Sequence, residues 1–122
     1  MQAKSAPSTI AFGDWIGLYL TGLFLVVFLL AHVAAVHYAT AGLEAGFTFE
    51  AVREKLRSPL FAFLDLGLLV LAIYHGLLGF RRFVVDLEVL SVGAIRVFTW
   101  VLVIVGLGGL YYGWIIYRAF VG

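Results

Sequence analysis

Three histidines, His32, His37 and His75, are the only side chains of this 122-residue sequence able to hold a redox metal from within its apolar runs. There is no cysteine, which removes disulfides, thiolate metal sites, iron–sulfur ligation and covalent haem attachment through a CxxCH pair. His75 is preceded by LLVLAIY and followed by GLLGF. A neutral imidazole there needs only one free ring nitrogen to serve as an axial ligand of haem iron. It is equally suited to a hydrogen bond with a neighbouring helix, and spacing alone leaves both readings open. Gly76 and Gly79 would let a flat macrocycle approach the backbone.

His32 and His37 are five residues apart, about 500° of helical rotation, so they point about 140° away from each other and form no common site. His32 is the deeper and the better ligand candidate. His37, beside Tyr38, falls at the membrane interface. Counted from the ends of their spans, His32 and His75 each lie about 22–25 Å from the face where their own helix begins. In antiparallel helices that separates them by about 15 Å or more in depth, so one iron cannot take both. If both bind haem, there are two haems, and each draws its second axial ligand from elsewhere. Half-sites of this kind imply a partner chain.

Four further ionisable residues border the spans. Asp65 stands near the start of the second, level with His32; it suits either a proton path or a partner-paired acid. Arg81, Arg82 and Asp86 emerge just past His75 at the opposite face. An arginine pair there can neutralise haem propionates; it can equally anchor the span by snorkelling. No nucleophile–base pair, phosphate loop or carboxylate metal cluster occurs, so the sequence reads as a cofactor holder rather than a self-sufficient enzyme.

The elements that position these groups follow from composition. Hydrophobic residues make up 64% of the sequence, charged residues 12%, and mean hydropathy is +1.10. An average soluble domain carries about a quarter charged residues, and one this short could not bury so much apolar surface. Residues 15–43 contain no Asp, Glu, Lys or Arg, and about 20 apolar residues cross the hydrocarbon. The expected fold is an all-α membrane protein of one domain, with transmembrane spans at about 14–38, 59–80 and 95–118. Gly42 and Gly46 break the helix after the first span. Residues 48–57 (TFEAVREKLR) then form a short interfacial amphipathic segment, with Phe49, Val52 and Leu56 on one face; it suits the membrane interface or a partner subunit, and equally a solvated connector. Ser58-Pro59 reads as a helix start, Arg81-Arg82 as the end of the second span, and residues 83–94 as a loop. Glycine pairs four apart, Gly13/Gly17 and Gly109/Gly113, suit close helix approach. A net charge of +1 without a basic run gives no reason to expect nucleic acid. Lysine and arginine divide evenly between the two sides, so charge alone does not set orientation.

The stretch SPLFAFLDLGLLVLAIYHGLLGFRRFVVD, residues 58–86, resembles the second helix of the succinate dehydrogenase (respiratory complex II) membrane-anchor, or cytochrome b, subunits. The shared pattern is an aspartate, a histidine ten residues later, HGxxGxR, and an aspartate eleven residues after that histidine. TGLFLVVFLLAHVAAVHY in the first span is also similar. The resemblance implies a three-span anchor paired with a second hydrophobic anchor subunit. Together they would hold a flavoprotein and an iron–sulfur subunit of the tricarboxylic acid cycle and respiratory chain, carrying electrons from succinate to quinone. It implies haem b on His75, and His32 for a second haem in two-haem members. It also places the protein in a bacterial or archaeal cytoplasmic (inner) membrane, with the amino terminus cytoplasmic.

The sequence departs from the family pattern twice. Leu87 stands where a quinone-contacting tyrosine commonly follows the aspartate matching Asp86. Tyr19 stands where related anchors carry an arginine, two residues before a small-residue–glycine pair, here Thr21-Gly22. Asp86 is left as a candidate for the quinone site. The alternatives are a cofactor-free structural anchor or assembly subunit of a respiratory complex and, from another class, a small multidrug-type transporter. The latter needs an acid at mid-membrane, and Asp65 is too near a span end.

Overall fold

The computed structural model describes residues 12–36 and 48–122. The chain is all-helical, with α1 at Phe12–Ala34, α2 at Phe49–Arg57, α3 at Pro59–Asp86 and α4 at Val92–Val121. Three of them, α1, α3 and α4, are long and apolar enough to cross a membrane. The expected break at Gly42 and Gly46, the end of the first span at Tyr38, and His37 fall outside the described residues.

Local chemistry sets the helix ends. The Thr48 hydroxyl accepts the Ala51 N–H at 3.3 Å and opens α2, and Ser91 does the same for Ala94 at the start of α4. At Ser58-Pro59, the serine backbone N–H closes α2 on the Lys55 carbonyl at 3.0 Å, and the proline begins α3 with no side-chain cap. The helices α3 and α4 run past the ends of the spans that the sequence suggested. Arg81-Arg82 does not end α3, which continues to Asp86, and α4 begins at Val92, so the expected loop shrinks to residues 87–91. A helix need not stop where the hydrocarbon does. At 28 residues, α3 is about 42 Å long against about 30 Å of hydrocarbon, so its arginine end reaches the headgroups with its backbone bonds intact. Glu88, just past the α3 cap, takes a left-handed φ of 54°, which turns the chain into α4.

α1 and α4 both pack along α3, while α2 packs against α3 and α4. The α1 residues that meet α3 are Asp14, Gly17, Leu18, Thr21, Gly22, Phe28 and His32, which share one face of the helix and form the α1–α3 seam. The polar residues Asp14, Thr21 and His32 all lie on it. Seam partners run in antiparallel register along α3: Asp14 with Arg81, Gly17 with Leu78, Gly22 with His75, Phe28 with Gly67, and His32 with Asp65. On α4, Gly106, Gly109 and Gly113 receive Leu77, Ile73 and Leu69 of α3. A Cβ at Gly106 would lie 2.8 Å from Leu77, so the glycine stripe is what lets these helices close. A Cβ on Gly13 would meet nothing within 4 Å among the described residues.

Among the described residues only Ala62, Leu102 and Gly106 are buried, and no large side chain is fully enclosed. Three helices side by side cannot shield one another, so their outer faces need lipid or another chain.

Candidate functional site

His75 sits at mid-seam, where α3 passes Thr21 and Gly22 of α1. Its Nδ1 lies 3.1 Å from the Thr21 hydroxyl, and a Cβ on Gly22 would be 3.1 Å from its Cε1. The ring therefore lies against the α1 backbone at Gly22, where a side chain is missing. Thr21 Oγ1 is also 2.6 Å from the Gly17 carbonyl oxygen. Two oxygens that close need a proton between them, and the hydroxyl has one to give. The hydroxyl therefore donates to Gly17 and accepts from His75, which fixes the proton of a neutral imidazole on Nδ1. Nε2 is left with its lone pair and no hydrogen bond to any described residue.

His32 is held by a different group in the same manner. Its Nδ1 lies 2.6 Å from Asp65 Oδ1, across the α1–α3 seam. The other carboxylate oxygen lies 3.7 Å from Lys55 Nζ of α2. Lys55 and Arg53 lie off the face of α2 that carries Phe49, Val52 and Leu56. Even so, the Lys55 side chain is only 13% exposed, with its ammonium 5.2 Å above the Phe61 ring, and Arg53 Nε is buried without a hydrogen-bond partner among the described residues. The inward turn of Lys55 follows from the charge of Asp65, which an apolar-face count along α2 does not see. Phe49, expected on the apolar face, stacks on Phe120 of α4 at 4.8 Å.

Asp65 and His75 are ten residues apart on α3, about 15 Å, and Thr21 and His32 are eleven apart on α1, about 16 Å. The two imidazoles therefore occupy separate levels. Because α3 continues to Asp86, His75 sits nearer the middle of its helix than a span ending at Phe80 would put it, and His32 sits near the α2 end of the bundle. Among the described residues no three His, Asp or Glu side chains converge on one point.

At the other end, Arg81 ties three helices. Its Nε donates to Thr99 of α4 at 3.0 Å, and its Nη1 lies 3.4 Å from Asp14 of α1. Arg82 reaches Asp86 one turn on, at 3.6 Å, and Asp86 is half exposed. The two arginines are therefore not equivalent, since Arg81 is committed inside the bundle and Arg82 only to its own helix. Between α3 and α4 runs a groove of about 310 Å³, lined mainly by Ile73, Leu77, Leu102, Val103 and Leu107, with Arg81 and Thr99 at one end.

Sequence reading missed Thr21 as a partner of His75. The signal was present in the small-residue–glycine pair Thr21-Gly22, but only the antiparallel register shows that the pair faces His75. Each histidine thus offers what axial ligation of a haem requires, a ring fixed through Nδ1 with Nε2 unused.

The family model described as succinate dehydrogenase/fumarate reductase transmembrane subunit matches residues 5–111. No curated protein matches the chain.

Proposed function

Because the chain belongs to the succinate dehydrogenase/fumarate reductase transmembrane subunit family, and is therefore an integral membrane protein, we propose that it anchors that enzyme's soluble subunits and holds haem b. The ligand on this chain is Nε2 of His75, with Nε2 of His32 at a second level, and each haem is shared with a second anchor subunit. The complex passes electrons from succinate through its flavoprotein and iron–sulfur subunits to quinone. A bound haem supplies one-electron storage inside the membrane; the rest of the work falls to the protein.

The observation that carries the reading is the proton count at Thr21. With the hydroxyl hydrogen on Gly17, His75 must donate from Nδ1, so its remaining nitrogen points a lone pair away from the seam partner that holds it. The same bond ties α3 to α1, and it leaves Nε2 as the nitrogen that a haem iron would take. Gly76, next to His75, leaves the α3 backbone open there: among the described residues a Cβ on it would meet nothing within 4 Å, which is room for a flat macrocycle. Arg82 is the freer cation for haem propionates, with Arg81 contributing its unengaged N–H groups. Asp86, at the exposed end of α3, is the candidate for the quinone side, and the amino terminus faces the cytoplasm.

Absorbance of the purified complex tests this. His75→Ala is expected to abolish the reduced haem b bands of the His75 level while the complex still assembles. Full band intensity in that variant sinks the ligand assignment. An intact wild-type complex without haem supports the cofactor-free anchor instead.

A further inference from the structure

We propose that Thr21 is a positioning residue for His75: its hydroxyl selects the imidazole tautomer and sets how strongly Nε2 donates to iron. This rests on the reading of His75 as a haem ligand. Threonine hydroxyls inside helices ordinarily bond back to the carbonyl four residues earlier, and Thr21 does so at 2.6 Å. Such a bond uses the donor and leaves the oxygen's lone pairs facing outward. At Thr21 those lone pairs face Nδ1 of His75 at 3.1 Å.

Two consequences follow. The ring cannot present Nδ1 as a ligand, because that nitrogen carries the proton shared with Thr21. Nor can it swing freely about its Cβ–Cγ bond, because Gly22 lets it settle against the α1 backbone. A hydrogen bond accepted from the far nitrogen raises the basicity of the ligating one, which favours ferric over ferrous iron. Removing the acceptor should therefore loosen the ligand and make the haem easier to reduce.

The test uses the purified complex carrying Thr21→Val, Thr21→Ser or His75→Ala. Haem b per flavin, the dissociation rate of haem, the EPR g values of the oxidised haem and its reduction midpoint are measured. Valine has the shape of threonine without donor or acceptor, and it is expected to raise haem dissociation about tenfold. It should also shift the largest g value and raise the reduced-to-oxidised ratio at fixed ambient potential. Serine keeps the hydroxyl and should restore all of these. A Thr21→Val complex with wild-type dissociation, g values and midpoint overturns the role of Thr21. Retention of unaltered haem by His75→Ala overturns the reading beneath it, and the proposal with it.

Should Thr21→Val fail to assemble, the wild-type complex still decides. Nitrogen-15 NMR of a chain labelled only at histidine should show His75 protonated at Nδ1, and a bare Nδ1 there overturns the proposal.

Discussion

At His75 the ring nitrogen nearer the backbone meets a threonine hydroxyl, and at His32 the same nitrogen meets a carboxylate that a lysine also approaches. Each ring is pinned across the same α1–α3 seam and keeps its outer nitrogen. The partners differ by one full charge, and depth explains why. A charge at mid-helix in hydrocarbon costs about 2.5 kcal/mol or more. At the level of His75 orientation therefore comes from a neutral group whose own proton is absorbed by the helix backbone. Near the α2 end a carboxylate is tolerable, because Lys55 and His32 surround it and headgroups are close. A hydroxyl and a carboxylate both add electron density to the ring that donates to them, the carboxylate more strongly, so the two levels should behave as electronically distinct sites.

The largest effects should come from removing the rings themselves. His75→Ala and His32→Ala, each assayed as haem b per flavin, should remove two spectrally different portions of the absorbance. A single haem that survives His32→Ala unchanged would break the comparison, leaving His32 as a structural tie only.

Next come the residues that keep the seam closed between the two levels. Phe28 lies over Gly67, between the two levels and nearer that of Asp65, where an added Cβ would sit 2.5 Å from the ring. Gly67→Val should cost about 1–3 kcal/mol by overpacking and disturb both histidine levels, whereas Gly22→Val should perturb His75 alone. Thermal unfolding of the complex, read with the haem spectrum, separates the two. Equal spectral effects from both variants would mean that the seam moves as a rigid unit.

Asp65 offers a finer cut. Asp65→Leu leaves the His32 and Lys55 donors without an acceptor and should cost roughly 1–3 kcal/mol. Asp65→Asn keeps an acceptor for His32 and removes the charge, so its effect on stability should be smaller. Its main signature should be a haem at the His32 level that is easier to reduce. A stability loss that is the same for Asn and Leu would show that the charge, and not the hydrogen bond, holds His32.

Much of this was legible in the residues. Three spans, an amphipathic segment before Ser58-Pro59, and histidines at separate depths follow from hydropathy and a 1.5 Å rise per residue. The helix ends at Asp86 and Val92 did not, because hydropathy reports where the hydrocarbon ends, and a backbone can remain hydrogen-bonded well past that point. The partners of His75 and Lys55 were also out of reach. Each is set by which residue of another helix lies opposite, and one α1–α3 register decides both the Thr21–His75 and the His32–Asp65 pairings. Asp65 was placed at the level of His32 by counting; that the two side chains point at each other required the seam.

The smallest effect is expected at the third polar tie of that seam. Asp14 and Arg81 are 3.4 Å apart, with side chains 40% and 31% exposed. Arg81 also holds Thr99, so it keeps a hydrogen bond if Asp14 is neutralised. Partly exposed ion pairs contribute about 0–1 kcal/mol, and Asp14→Asn should fall in that range with the haem spectrum unchanged. Arg81→Gln should cost more, since it releases α4 as well as α1. The pair at this end resembles Asp65–Lys55 in composition, yet it orients no imidazole and so should influence no haem. An Asp14→Asn complex whose haem midpoint moved as far as that of Asp65→Asn would contradict the idea that direct contact with the ring is what tunes each level. The long-range field of the carboxylates would then be responsible, and Thr21, which carries no charge, would lose its part in setting His75 apart from His32.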